Sequence, residues 1–172
     1  MKRVYHTNVN DSARYVMGAY ISKPLLVFGV NPSRATFDKL DVTVSKVKKN
    51  AELLGFDGWL MFNLYPQRST DPIGIHNRRN NKLIKENLLS LQKIIGELEK
   101  ITIWAAWGNL IESRKYFCEC LLSITHVLRA YDHQWIHLGS LTKLGHPRHP
   151  SRMPYNMAIH TFDIDAYLNR VL

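Results

Sequence analysis

The chain has 172 residues, of which 45% are hydrophobic and 10% are aromatic, so it can bury the core of one domain but not of two full domains. Its 23 lysine and arginine residues outnumber the 14 aspartate and glutamate residues and give a formal net charge of +9. This balance favours a polyanionic partner such as a nucleic acid or a nucleotide, and a soluble basic surface is the alternative interpretation.

The cysteine content and the apolar runs argue against a disulfide-rich protein and against a membrane-spanning protein. Cys118 and Cys120 are the only cysteines, and on a predicted helix they point to different faces, so no disulfide framework is expected. The first six residues lack the apolar core of a signal peptide, and no apolar run approaches the roughly 18 residues that a membrane span needs. We therefore expect a cytoplasmic protein without a membrane partner.

The first predicted elements are two strands and a helix. Residues 16–20 and 25–30 are short runs of β-branched and large apolar residues, and they predict two strands joined by a turn. The second run is apolar throughout, as in a fully buried strand. Asp41 then suits a helix N-cap, apolar residues recur at helical spacing over 44–54, and Gly55 suits the position just after the helix.

The middle of the chain predicts a second buried strand and a longer helix. Residues 59–65 form an unbroken apolar run between Gly58 and Pro66, which is too short for a helix and predicts a parallel strand. After a polar loop, apolar residues repeat at intervals of three and four over 83–98, with lysine and glutamate between them. This pattern predicts an amphipathic helix of several turns.

The last third of the chain predicts two more strands and two more helices. Residues 101–107 predict a third strand before Gly108, and a helix is expected over about 110–122. A fourth short strand is predicted at 135–138, and a last helix near 163–171.

Strands that alternate with helices of these lengths predict an α/β fold over residues 1–172, with a central, mostly parallel sheet covered on both faces as an α/β/α sandwich. In such sheets, ligands bind beyond the carboxyl ends of the strands. Four segments meet that condition: 31–36, 63–70, 108–109 and 145–152.

The turn Gly29-Val30-Asn31-Pro32-Ser33 ends the second predicted strand. Gly29 permits a close approach of the backbone, and Pro32 restricts Asn31 to extended conformations that project its side chain from the strand tip. An amide in that place can orient a water molecule or contact the edge of a base. In the alternative interpretation, Asn31 forms an Asx turn and bonds only its own backbone.

Asn63 interrupts the apolar run of the next parallel strand. An unpaired amide there would cost about 1 to 3 kcal/mol, so a partner is expected. A neighbouring backbone group would serve, and so would the edge of a pyrimidine or purine, which presents a donor and an acceptor together as a carboxamide does.

The segment 145–152 holds two histidines, two arginines and two prolines in eight positions. Prolines stiffen a loop, and its cations can meet a phosphate or a developing negative charge. A metal site is the rival explanation, formed by His137, His146, His149 and His160. We expect no metal, because no acidic or thiol partner lies at metal-ligand spacing.

Arginines cluster at the predicted ligand edge, whereas lysines dominate the helices. Arginine forks suit phosphate oxygens, and a soluble basic surface is the alternative. The arginines concerned are Arg34, Arg68, Arg78, Arg79, Arg148 and Arg152.

Taken in chain order, these segments resemble the motifs of the uracil-DNA glycosylase superfamily. The turn 29–33 resembles a Gly-x-Asp/Asn-Pro motif, and Met61-Phe62-Asn63 resembles an apolar strand that ends in a base-recognising Asn. Residues 103–108 look like the strand that ends in Trp-Gly, and His149-Pro150-Ser151 is similar to the His-Pro-Ser loop. Residues 162–168 resemble the closing helix of that fold.

The chain as a whole looks closest to a bacterial and phage family, domain-of-unknown-function family 1643. It shares with that family the Asn-Pro-Ser turn, the Ala-Trp-Gly strand end and the Gly-His-Pro-x-His-Pro loop.

The glycosylase resemblance implies hydrolysis of an N-glycosidic bond without a metal or a cofactor. Asn31 would position the attacking water, Asn63 would bond the base edge and His149 would stabilise negative charge on the departing base. Tyr65 or Phe28 would stack on that base, and Met153 sits where the glycosylases carry a residue that wedges into the duplex. The candidate substrate-binding residues are Gly29, Pro32, Ser33, Arg34, Asn63, Tyr65, Arg68, Trp107, Gly108, His146, Arg148, Ser151, Arg152 and Met153.

Residue 31 is an amide where the most active uracil enzymes carry Asp, so the chain would position water without taking its proton. We therefore expect a glycosylase-like hydrolase that acts on a base in DNA or in a nucleotide. A module of the same fold that binds a nucleotide or nucleic acid without cleaving it is the alternative, and a basic protein that binds another macromolecule is a third possibility.

Overall fold

Seven strands form one sheet in the computed structural model, which describes residues 1–172. The strands are β1 (Lys2–Thr7), β2 (Arg14–Tyr20), β3 (Pro24–Gly29), β4 (Gly58–Asn63), β5 (Ile101–Ala105), β6 (His133–Leu138) and β7 (Ile159–Thr161). The α-helices are α1 (Val42–Leu53), α2 (Asn81–Ile95), α3 (Tyr116–Leu128) and α4 (Ile164–Val171).

The strand order across the sheet is β1-β2-β4-β3-β5-β6-β7. β3 pairs in parallel with β4 and with β5, and β5 pairs in parallel with β6. β2 is antiparallel to both β1 and β4, and β7 is antiparallel to β6. All strands except β2 and β7 therefore run in the same direction, which confirms the predicted α/β class with a mostly parallel sheet.

The first two predicted strands, β2 and β3, are joined by a turn but do not pair, because β4 lies between them. Gly18 permits the close β2–β4 contact, since a Cβ atom at that residue would lie 2.0 Å from the carbonyl oxygen of Trp59. The two outer strands, β1 and β7, carry few apolar residues, and the apolar runs of the sequence did not predict them.

The predicted caps of α1 are confirmed. The Asp41 carboxylate accepts a hydrogen bond from the Val44 N–H at 2.8 Å, and Gly55 follows the helix with a φ of +78°. The helix expected over about 110–122 has different bounds: Gly108–Ser113 form a 3-10 helix and α3 begins at Tyr116. The extended backbone of Arg114 separates the two.

Apolar side chains pack on both faces of the sheet. The larger cluster joins strand residues such as Phe28 and Phe62 to the buried residues of α2, α3 and α4. The smaller cluster joins Val27, Met61 and Trp104 to the buried residues of α1. None of the four helices combines the length and the apolar composition that a membrane span requires.

Candidate functional site

Backbone hydrogen bonds join the turn after β3 to the loop after β4. The Leu64 N–H donates to the Gly29 carbonyl at 2.9 Å, and the Ser69 N–H donates to the Pro32 carbonyl at 2.9 Å. The parallel pairing of the two strands is thereby extended into their loops. Two of the four segments selected from the sequence are held side by side at the carboxyl edge of the sheet.

The other two segments meet at the end of β5. The Gly108 N–H donates to the Pro147 carbonyl at 2.9 Å, and a Cβ atom on Gly108 would lie 3.0 Å from the Cβ atom of His149. Gly108 also has a φ of +63°, which favours glycine. The Ala106 N–H donates to the Phe28 carbonyl at 3.0 Å and so links this strand end to β3.

Asn31 is half-buried, and its side chain is fixed by two carbonyl groups. The Nδ2 atom donates to the Ser69 carbonyl at 3.0 Å and to the Pro32 carbonyl at 3.2 Å. The amide therefore bonds across to the next loop as well as to its own turn. Because both partners are acceptors, they fix which amide atom is the nitrogen, and they leave Oδ1 free to accept a hydrogen bond from a water molecule.

Asn63 is almost completely buried, at 1% exposure, and neither its Oδ1 nor its Nδ2 atom has a hydrogen-bond partner. The backbone partner considered for this amide is absent. Only the main-chain carbonyl of Asn63 is bonded, since it accepts from Nδ2 of Asn87 at 2.9 Å. The donor and the acceptor of this buried carboxamide are thus left without the partners that buried polar groups ordinarily have.

His149 begins a short 3-10 turn of residues Pro150–Arg152, and its Nδ1 atom accepts a hydrogen bond from the Ser151 N–H at 3.3 Å. The Nδ1 atom also lies 2.8 Å from the Ser151 hydroxyl. Burial lowers the pKa of His149, and the nearby Arg152 lowers it further while Asp41 opposes that effect. The ring is therefore neutral at neutral pH, with its proton on Nε2, where it can donate to a ligand oxygen.

Trp107 and His146 belong to a buried chain of hydrogen bonds. Nε1 of Trp107 donates to the Tyr167 hydroxyl at 3.0 Å, and that hydroxyl lies 2.7 Å from Nδ1 of His146. Nε2 of His146 lies 2.8 Å from Oε1 of Glu112. Burial raises the pKa of Tyr167, so the hydroxyl keeps its proton and can donate it to His146. Both predicted binding residues thus support the site from behind instead of lining it.

Three of the sequence-based expectations are corrected by burial. Tyr65 is fully buried, and its ring packs against Tyr116 with the centroids 5.1 Å apart. Phe28 stacks on Phe62 with the ring centroids 5.4 Å apart, so other core rings already occupy the positions on which a base could stack. Met153 is 2% exposed and packs in the cluster under α1, whereas a residue that wedges into a duplex must project from the surface.

The predicted arginines divide into paired and unpaired groups. Arg68 donates to the Ser33 carbonyl at 2.6 Å and forms a salt bridge with Asp11 at 3.0 Å. Arg148 donates to the Ser140 carbonyl at 2.8 Å, and Arg79 forms a salt bridge with Glu119. The side chains of three exposed arginines form no hydrogen bond or salt bridge within the protein: Arg34, Arg78 and Arg152.

An open groove of about 440 Å³ lies over the 31–36 turn and has no apolar residue in its lining. It is bordered by Asp11, Ser33, Arg34, Thr36, Arg68, Ser69 and Thr70. Hydroxyl groups and guanidinium groups together suit phosphate oxygens.

Arg14 was missed by the sequence reasoning although it is among the largest fully buried side chains. Its Nη1 atom donates to the Ala35 carbonyl at 2.8 Å, and its Nε atom is buried without a partner. The one available signal was an arginine at the start of an otherwise apolar strand, 14–20.

The histidines considered as metal ligands lie in separate environments. His137 and His160 stack on each other with ring centroids 5.1 Å apart, while His146 and His149 have the partners given above. No three histidine, cysteine, aspartate or glutamate side chains lie close enough to hold a metal ion.

A family model described as protein of unknown function (DUF1643) matches residues 14–151, a span that includes the turn 29–33, Asn63 and His149. Searches of curated proteins and of solved structures found no match.

Proposed function

The chain belongs to the DUF1643 family, and from its site we propose that it is a nucleobase N-glycosylase-like hydrolase. In this proposal it cleaves the bond between a base and its sugar in DNA or in a nucleotide. We also propose that the sheet and its helices form the three-layer α/β/α sandwich of the uracil-DNA glycosylases.

The observation that carries the proposal is the unpartnered carboxamide of Asn63. It lies at the end of β4, next in the sheet to the strand whose tip holds Asn31. A free donor and a free acceptor on one side chain match the edge of a nucleobase, and enzymes that extrude a base from a duplex read that edge by hydrogen bonds.

The roles of the remaining groups follow from their bonded atoms. Oδ1 of Asn31 is free to accept a hydrogen bond from a water molecule, whose oxygen then attacks the sugar carbon. The carbon–nitrogen bond breaks, and the base leaves with its electron pair. The Nε2–H of neutral His149 donates to an oxygen of the departing base and stabilises its charge. The proton lost by the water ends on the base or in solvent, because an amide does not take it.

Release of free base, measured by mass spectrometry, tests the proposal. DNA carrying normal and modified bases is incubated with the protein and with its Asn31→Ala variant. We expect release by the wild-type protein, and loss of release with retained binding in the variant. Asn169→Ala is the matched control, because Asn169 is exposed on α4. Release that persists in Asn31→Ala contradicts the assigned role of Asn31.

A binding module without hydrolysis is the second candidate, and the amide at residue 31 favours it because no carboxylate base is present there. The burial of Tyr65 and Phe28 favours it as well, since no aromatic face is available to clamp an extruded base. Protection of the protein against thermal unfolding by nucleotides, with no base released from any DNA, would establish this second function.

A further inference from the structure

Arg14 is a buried cation without an anion. It is 1% exposed, and none of the salt bridges in the structure includes it. A guanidinium group carries five N–H donors, and here the Ala35 carbonyl is its one bonded side-chain partner. Burying a charge without a salt-bridge partner is unfavourable, and here one carbonyl contact offsets that cost only in part.

A second guanidinium group points to the same carbonyl oxygen. Arg68 donates to the Ser33 carbonyl at 2.6 Å and approaches the Ala35 carbonyl at 3.5 Å. Asp11 neutralises Arg68 through a salt bridge at 3.0 Å, whereas Arg14 has no such partner. Asp41 and Asp11 stabilise the Arg14 charge from beyond salt-bridge distance, so this guanidinium has no anion in direct contact beneath the 31–36 turn.

Arg14 and Asn63 face the same side of the sheet. The Arg14 N–H donates to the Pro66 carbonyl at 2.9 Å, which places the residue beside the loop after β4. Its guanidinium bonds Ala35, which packs in the cluster under α1. Asn63 faces that cluster too. It lies two residues after Met61 on β4, so the two side chains point to the same face of the sheet, and Met61 belongs to the cluster. Two buried side chains with unpartnered polar atoms thus lie at one edge and on one face.

We propose that Arg14 is a specificity-determining residue that binds an anionic oxygen group, a carboxylate or a phosphate, on a ligand that Asn63 also contacts. A guanidinium only donates hydrogen bonds, so the ligand must present acceptors to it, and an anion would also neutralise the buried charge. Burial and the neighbouring Arg68 lower the pKa of Arg14 to about 10 while Asp41 and Asp11 oppose the shift, so the side chain is still charged at neutral pH. This role rests on the proposed function only in taking the ligand to be a base or a nucleotide.

Binding of small probes distinguishes the two anionic groups. Titration calorimetry and thermal unfolding compare two pairs of probes. The first pair is 5-carboxyuracil and uracil, and the second is uridine 5′-monophosphate and uridine. Inorganic phosphate is measured beside the second pair. We expect one of the two anions to bind at least about tenfold more tightly than its neutral counterpart, as for a charge-assisted hydrogen bond. Equal affinity for the neutral and the anionic member of both pairs overturns the proposal.

The matched variants are Arg14→Met, which removes the charge at similar size, and Arg129→Met on the far side of the molecule, where Arg129 pairs with exposed Asp165. We expect Arg14→Met to lose the preference for the anion while it binds the neutral probe as before. Its Tm without ligand should equal or exceed that of the wild type, because an unpaired buried charge has gone. An unchanged anion preference overturns the proposal.

If Arg14→Met fails to fold, Arg14→Gln replaces it, because glutamine lacks the charge but keeps a donor for the Ala35 carbonyl. We expect Arg14→Gln likewise to lose the preference for the anion. Binding is measured without base release, so the two hypotheses can fail separately. If binding of the anion depends on Arg14 but no base is released from any DNA, the role of Arg14 is supported and the glycosylase proposal is contradicted. If wild type and Arg14→Met release base equally and neither prefers the anion, the glycosylase proposal stands and the proposed role of Arg14 is contradicted.

Discussion

Asn63 lies opposite Gly29 in the parallel ladder of β3 and β4, and a Cβ atom on residue 29 would lie 3.0 Å from Oδ1 of Asn63. The same Cβ atom would lie 2.8 Å from Cε of Met61. The absence of a side chain at residue 29 therefore provides the room that the Asn63 amide and the end of the Met61 side chain occupy.

Gly29→Ala should displace the Asn63 amide, because the new methyl group would lie too close to it. We expect a loss of nucleotide binding together with a fall of about 1 to 3 kcal/mol in the free energy of unfolding, because the new methyl group overpacks the strand end. Calorimetric titration and urea unfolding measure the two effects. Gly96→Ala is the control, since Gly96 has helical backbone angles at the end of α2. Undiminished binding by Gly29→Ala would contradict the proposed role of the Asn63 amide in binding.

Asn63→Leu separates binding from stability. Since the amide has no partner, its replacement by an apolar side chain of similar size should leave the free energy of unfolding unchanged or raise it by about 1 kcal/mol. Binding should be lost. Asn87→Leu is the matched comparison, because Nδ2 of Asn87 donates to the Asn63 carbonyl and its removal should cost about 1 to 3 kcal/mol. Equal destabilisation by the two variants would show that the Asn63 amide is structural.

Stability should fall on acidification in a way that depends on His149. Burial lowers the pKa of this imidazole in the folded protein, while in the unfolded chain it titrates near about 6.5. The unfolded state therefore binds the proton first, so this contribution is complete above about pH 6.5 and decreases as the pH falls below that value. His149→Gln should show a shallower loss of Tm between about pH 7 and pH 5. Parallel curves for the two proteins would count against the buried neutral ring.

Tyr167→Phe should destabilise the protein because it leaves two buried groups unpartnered, Nε1 of Trp107 and Nδ1 of His146. Each such group costs about 1 to 3 kcal/mol. Tyr155→Phe is the control, since Tyr155 is exposed and donates no hydrogen bond, and surface changes of this kind stay within about 0.5 kcal/mol. Urea unfolding of both variants gives the comparison, and equal midpoints would mean that the chain of hydrogen bonds contributes nothing.

Salt dependence tests the unpaired arginines. If Arg152 contacts a phosphate, Arg152→Ala should reduce the slope of log K against log salt concentration by about 1 and weaken binding to all DNA sequences alike. Arg129→Ala should leave the slope unchanged, because Arg129 is already paired with Asp165. Affinity of the wild-type protein that does not change with salt would contradict nucleic acid as the partner.

Local signals explain why much of the fold was predictable. Helix α1 is bounded by Asp41 and Gly55, whose capping roles depend on a few neighbouring residues. The order of the strands in the sheet depends on contacts between distant residues, such as the close approach of Gly18 to Trp59. Apolar periodicity along the sequence does not indicate which strands are neighbours. The edge strand β7 was missed because its three residues are exposed.

The candidate site was predictable where it depends on strand ends. The rule that ligands bind at the carboxyl edge selected Asn31, Asn63 and His149, and the structure brings their loops together. Burial of Tyr65 was not predictable, because an aromatic residue after a strand can face the core or the ligand. The burial of Arg14 without a salt bridge was also not predictable, since the partners of a buried charge depend on the folded neighbourhood.

The hydrogen bond between His146 and Tyr167 joins a loop to a helix that is synthesised after it. The loop that carries His149 is translated before α4, yet its neighbour His146 takes a partner from that helix, 21 residues later in the chain. During translation the loop therefore lacks this support until α4 has left the ribosome. A chain truncated before residue 167 would keep the residues of all seven strands but would lack the Tyr167 hydroxyl that bonds His146, so the loop beside His149 would be unsupported.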